Sequence, residues 1–177
     1  MVGSLAIAVS APLLAGCPIP FPSDIEDQSD AGLNTTPVIT SASPEDLAFG
    51  GAIVVVDRGD PRVVTLSLRD TDVGDTLYLR TYRDYTAALP TVFLNDVEVP
   101  PTGEALRLRD VSLSPWCAGV APTDEDQHIL EVLVADRAFL ECTGTPVECA
   151  GQPQFRELPA GAQSSARTWN IKCRPPK

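Results

Sequence analysis

The sequence predicts an all-β protein: a single two-sheet sandwich of about seven or eight short strands, preceded by a signal peptide and a flexible tether. Three observations carry this expectation. Proline takes 17 of 177 positions, which suits turns and strand ends better than helices. The apolar residues are largely Val and Leu in short runs bounded by Gly, Pro and Asp, the composition of strands. Several of those runs alternate apolar and polar residues with the period of two that a half-buried strand requires.

Charge narrows the function classes. Thirteen Lys plus Arg against 24 Asp plus Glu leave a net charge of -11. Attachment to phosphates runs on clustered cations, so no nucleic-acid partner is expected. The sequence also has no unbroken apolar stretch of about 18 residues, the length that a spanning helix needs, and a soluble or anchored product is expected.

Residues 1–16 carry no charge, and the run from Leu5 to Leu14 is broken only by Ser10 and Pro12, the length of a secretory core segment. It ends in Leu14-Ala15-Gly16-Cys17, which resembles the lipobox of bacterial lipoproteins. In that family the cysteine thiol takes diacylglycerol, the chain is cut before it, and the new amino group is acylated, commonly with palmitate. The resemblance implies a signal peptide over residues 1–16, lipidation at Cys17 and a membrane partner through the anchor. Each buried methylene contributes about 0.8 kcal/mol, so two or three chains hold where one is marginal. Pro18 and Ile19 follow the cysteine, so the aspartate that retains some lipoproteins at the inner membrane is absent. The implied address is the outer membrane of a cell envelope, facing periplasm or cell surface.

Residues 17–36 read as an acylated cysteine and a tether. Prolines stiffen the segment, and Asp24, Glu26, Asp27 and Asp30 extend it without a cation among them. The folded domain is expected over residues 37–177. Val38-Ile39-Thr40 supplies the first strand, and Ala42 to Phe49 a single helical turn stopped by Gly50-Gly51. Ile53 to Val56 follows. Val64, Leu66 and Leu68 then fall on one face with Thr65, Ser67 and Arg69 on the other. Leu77 to Leu79 and Thr91 to Leu94 are further candidates. Leu106 and Leu108 alternate likewise with Arg107 and Arg109, so this segment too reads as a strand with one wet side. Ile129 to Val134 is the most apolar run and predicts a central strand. Trp169 and Ile171 share a face of the last one.

Leu68-Arg69-Asp70-Thr71-Asp72-Val73-Gly74-Asp75-Thr76-Leu77, together with Leu133-Val134-Ala135-Asp136-Arg137, resembles the patterns of bacterial immunoglobulin-like and cadherin-like domains. The resemblance implies an immunoglobulin-like sandwich. It implies no particular activity, because that architecture hosts many roles.

With Cys17 assigned to lipid, Cys117, Cys142, Cys149 and Cys173 remain, an even number suited to an oxidising compartment. If Ile129 to Asp136 pairs antiparallel with Arg167 to Cys173, then Cys173 lies beside the start of the former, near Cys117. Cys142 and Cys149 lie in the connection at the opposite end. The expected bridges are therefore Cys117–Cys173 and Cys142–Cys149, contributing about 4 and about 2.5 kcal/mol by loop entropy. Zinc needs closer ligand pairs than these, and no Cys-x-x-Cys motif supports redox catalysis.

The remaining chemistry is sparse. His128 is the one histidine, with Asp124, Glu125 and Asp126 before it and no Gly-x-Ser-x-Gly elbow in the chain; it reads as an exposed strand-end residue. Asp70, Asp72 and Asp75 surround Gly74, with Asp136 able to approach in a sandwich. They form a candidate calcium site, weighed against an ordinary Asp- and Gly-rich turn. No other cofactor is expected. Tyr78, Arg80, Tyr82 and Tyr85 make the one aromatic and cationic cluster, either a surface for an envelope protein or carbohydrate or a cover for a sheet face.

The function expected is that of a lipid-anchored cell-envelope protein, not an enzyme, acting as a binding or structural module. Two alternatives stand beside it: a subunit of a larger outer-membrane or periplasmic assembly, and an envelope hydrolase with an unidentified acidic site.

Overall fold

The computed structural model describes residues 34–50, 53–86, 88, 91–121, 127–141 and 156–175. Among these residues eight strands form in order: β1 (Val38–Ser43), β2 (Val54–Asp57), β3 (Val63–Arg69), β4 (Leu77–Arg83), β5 (Asn95–Val99), β6 (Leu106–Ser112), β7 (Gln127–Ala135) and β8 (Ser164–Arg174). The expected helical turn is a single 3-10 turn at Glu45–Leu47. Cys17, the expected partners Cys142 and Cys149, and the acids Asp124 to Asp126 lie outside the described residues.

The strands build two sheets, β1-β3-β6 and β2-β8-β7-β4-β5. All pairings are antiparallel except β2 with β8, which is parallel. A three-stranded sheet made of the first, third and sixth strands, facing one built on β8-β7-β4-β5, is the strand order of an immunoglobulin-type sandwich. The all-β sandwich read from the sequence is therefore the fold.

Between the sheets, Val64, Leu66 and Leu68 of β3 meet Leu77 and Leu79 of β4, Leu130, Val132 and Val134 of β7, and Trp169 and Ile171 of β8. Trp169 is stacked between Phe49 and Trp116, with ring centroids 4.3 and 5.2 Å away. Each indole N–H reaches an oxygen: Trp116 donates to Asn95 Oδ1 at 3.1 Å and Trp169 to the Leu47 carbonyl at 2.8 Å. Burying aromatic surface without orphaning its one polar atom is what makes such residues effective core fillers. Cys117, in the turn after β6, is bonded to Cys173 near the end of β8 with their Cα atoms 5.6 Å apart, the pairing the strand order predicts.

β7 is buried on both faces over residues 132–135, which explains an apolar run from Ile129 to Val134 broken only by Glu131. Its residues 130, 132 and 134 enter the inter-sheet core, while Leu133 and Ala135 join Tyr82 and Phe139 in a second cluster on the outer side.

Three expectations are corrected. Thr91–Leu94 precedes the strand, which runs over the more polar Asn95–Val99; its backbone is held by β4, so side-chain patterning carries little of the signal. Asn34 to Thr36, assigned to the tether, are bonded into the domain: Asn34 Nδ2 donates to Asp136 and Thr36 Oγ1 to Gln163 at 3.1 Å. Finally, β6 is turned over. Arg107 is 2% exposed while Leu106 and Leu108 are 57% and 66% exposed. The register that pairs Leu68 with Arg107 and Ser67 with Leu108 puts the arginine on the core side, because directly paired residues share a face.

Candidate functional site

The acidic turn between β3 and β4 is organised around protein donors. Asp70 Oδ1 accepts from Asp72 N at 3.1 Å and Thr35 Oγ1 at 3.2 Å; Asp72 Oδ2 accepts from Thr35 N at 2.7 Å and Thr35 Oγ1 at 2.8 Å. Arg107 reaches from β6 into the same turn, donating to the carbonyls of Asp75 at 2.5 Å and Asp72 at 3.2 Å. A guanidinium thus occupies carbonyl oxygens of the kind calcium ligation draws on. Asp136 stands apart from this turn's bonds, its two oxygens taken by Asn34 Nδ2 and, at 2.9 Å, Gln163 N. Among the described residues no three His, Cys, Asp or Glu side chains are grouped so as to hold a metal ion.

The turn also shifts its carboxylates in opposite directions. Burial pushes Asp70 above the usual carboxylate range, and its Oδ2 lacks a hydrogen-bond partner among the described residues. The two bonds from Thr35 hold Asp72 below that range. Three acids around Gly74 are visible in the sequence, but nothing there signals that an arginine of β6, 32 residues beyond Asp75 and 35 beyond Asp72, reaches their carbonyls.

The tyrosine cluster is a second core rather than a displayed surface. Tyr78, Arg80 and Tyr82 share the outer face of β4 as their alternation requires. Tyr82 and Arg80 are buried there with Leu133 and Phe139, and Tyr78 and Tyr85 are half-buried at the margin. Tyr82 meets Tyr85 edge-on at 5.2 Å, and burial pushes its phenol pKa up. The Arg80 guanidinium lies between the rings of Phe93 and Phe139, 4.4 and 4.6 Å from their centroids, and forks onto Asp96 at 3.1 and 2.9 Å. Cation–π stacking and a bidentate carboxylate together allow that charge to be buried. Arg80 and Tyr82 are covered, so of the two readings open from the sequence their burial agrees with a cover for a sheet face and not with a surface presented to a partner.

His128 is likewise less exposed than expected, at 13% of its side chain. Its Nδ1 lies 2.7 Å from Asp84 Oδ2, and the other oxygen of Asp84 accepts from Ile129 N at 2.9 Å. Asp84 adopts φ of 53°, a left-handed conformation that Asp tolerates, and its carboxylate closes the β4–β7 end.

Two features were not anticipated. A groove of about 870 Å³ runs beside β2, lined among others by Ile53, Val55, Arg58, Arg62 and Arg174. Arg62 is paired with Asp46 and Asp60 at 2.9 and 2.8 Å, and Arg174 with Asp57 at 2.9 Å. The fork from Arg62 holds Asp60 below the ordinary carboxylate range. These pairs neutralise much of the groove's charge. The second feature is the edge of β6, where Leu106 and Leu108 stand exposed along the border of the three-stranded sheet. The alternating Leu-Arg-Leu-Arg pattern holds its signal, with the faces exchanged.

No protein-family model matches the chain, and no curated protein matches it.

Proposed function

We propose that this chain is a cell-envelope module, held at a membrane by lipid on Cys17 and acting without catalysis through the surface of its sandwich. The observation that carries the reading is the Cys117–Cys173 bridge in a chain whose Leu14-Ala15-Gly16-Cys17 sequence has the form of a lipobox. A disulfide persists in exported proteins and is rare where thiols are kept reduced, so both features point to the same side of a membrane.

The test is expression of the full chain in a bacterium that processes lipoproteins. The wild type is expected in the membrane fraction, with a mature amino terminus at Cys17 carrying diacylglycerol by mass spectrometry. Cys17→Ala is expected in the soluble fraction with an unchanged melting temperature. An unmodified amino terminus, or equal partitioning of the two proteins, overturns the anchor.

The exposed edge of β6 favours a second reading, a subunit of a larger outer-membrane or periplasmic assembly.

A further inference from the structure

We infer that the free edge of β6 accepts an extended polypeptide segment, one that alternates apolar and acidic residues, as an added strand of the three-stranded sheet. The inference concerns the assembly reading and is independent of lipidation at Cys17.

The register fixes which backbone groups are available. Leu113 N donates to the Arg62 carbonyl at 3.1 Å and Asp70 N to the Ala105 carbonyl at 2.8 Å, at the two ends of the β3–β6 ladder. In an antiparallel pair, bonded and non-bonded positions alternate. The pairs between those ends that exchange bonds are therefore Val64 with Val111, Leu66 with Arg109 and Leu68 with Arg107. The N–H and C=O groups of Leu106, Leu108, Asp110 and Ser112 point away from β3. Asn95 Nδ2 reaches the Ser112 carbonyl from that side at 3.2 Å, as this assignment requires. Among the described residues, Leu106, Leu108 and Asp110 show no such cover over their outward backbone groups.

Other edges are treated differently. Side chains of Ser165 and Arg167 reach the Pro37 and Ile39 carbonyls at the β1 end, and Arg62 reaches the Val55 carbonyl of β2. β5 carries Asp96 and Glu98, and charge is a common way of blunting an edge. β6 instead shows leucines at alternate positions on its outer side, which an added strand would meet with its own apolar residues.

Charge selects the partner. Arg109 is exposed, on the opposite face from the leucines, and Arg69 is exposed beside Leu106; neither forms an ion pair among the described residues. Both stand in a chain of net charge -11, and the carboxylate that β6 itself exposes, Asp110, lies on the leucine face and accepts from Thr65 Oγ1 at 2.6 Å. Acidic side chains on the face of Arg109 would pair with it. A second copy is a poor occupant, because antiparallel self-pairing of β6 centred on Leu108 sets Arg107 against Arg109 across the two-fold, and like charges opposite one another destabilise a sheet.

The experiment titrates the full chain with fluorescently labelled Val-Glu-Val-Glu-Val-Glu-Val and, in parallel, Val-Lys-Val-Lys-Val-Lys-Val, followed by anisotropy. The acidic probe is expected to bind and the basic one to bind more weakly. Leu108→Pro removes an outward N–H without taking a bond from β3 and is expected to weaken the acidic probe about tenfold. Arg109→Glu is expected to reverse the preference between probes, and circular dichroism and melting verify that both variants are folded. Absence of binding, equal affinity for the two probes, or unchanged affinity in both folded variants overturns the inference. Sedimentation showing a wild-type dimer that Leu108→Pro disperses also overturns it, by assigning the edge to a second copy.

Discussion

Each sheet of the sandwich buries an arginine, and the two are satisfied in different ways. Arg80, on the outer face of the five-stranded sheet, has a carboxylate in its fork and an aromatic ring on either side. Arg107, on the inner face of the three-stranded sheet, has two backbone carbonyls, and its Nε is without a hydrogen-bond partner among the described residues. The first is a local ion pair between neighbouring strands, since Arg80 and Asp96 are directly opposed in the β4–β5 register. The second ties β6 to the turn that also receives Thr35. A buried cation can therefore serve as one half of a compact pair, or as the pin that holds a loop and the start of the domain against a sheet.

That difference predicts unequal costs for removing the two charges. Arg107→Leu deprives the Asp72 and Asp75 carbonyls of their donor and leaves the buried Asp70 carboxyl without a nearby cation. The expected loss is about 3 kcal/mol in urea unfolding at neutral pH, with faster amide exchange in the turn. Arg80→Leu leaves Asp96, whose side chain is 43% exposed, free to hydrate. Leucine also fills part of the space between Phe93 and Phe139, so the expected loss is about 1 kcal/mol. If Arg80→Leu proves the more damaging, the ion pair with its two rings, and not the carbonyl-bound arginine, is the more demanding arrangement.

The sequence foretold one arginine's surroundings better than the other's. That Tyr78, Arg80 and Tyr82 share one face is legible from their spacing of two, since alternation is a property of the strand itself. Whether that face meets water depends on Phe93, Phe139 and Leu158, which come from other parts of the chain. For Arg107 even the side was misread: leucine is the residue expected inside, and only the register with β3 turns Leu106 and Leu108 outward. The central position of β7 was legible because, Glu131 apart, both of its faces are apolar from Ile129 to Val134. The Cys117–Cys173 bridge was legible because antiparallel pairing of β7 and β8 fixes where the end of β8 falls. The clasp of Asn34 and Thr35 was not, because its bonds join residues far apart in sequence to a segment with no periodicity.

The smallest effect concerns pH and separates the members of the Arg107 site. Burial raises the folded-state pKa of Asp70 above the ordinary value near 3.9. Its contribution therefore favours folding below the unfolded value and is lost as pH rises through the folded one. Asp72 and Asp60 are held low by Thr35 and Arg62, so they stabilise above the unfolded value and fail on acidification. Asp70→Asn keeps an Oδ1 acceptor for Asp72 N and Thr35 Oγ1 while abolishing the ionisation. Its stability relative to wild type should accordingly rise across the interval between about pH 3.9 and the raised pKa, then level off. Urea titrations at closely spaced pH values measure that difference directly. A difference that is flat, or that falls with increasing pH, means that the Arg107 cation outweighs burial and that the two groups behave as an ion pair, like Arg80 with Asp96.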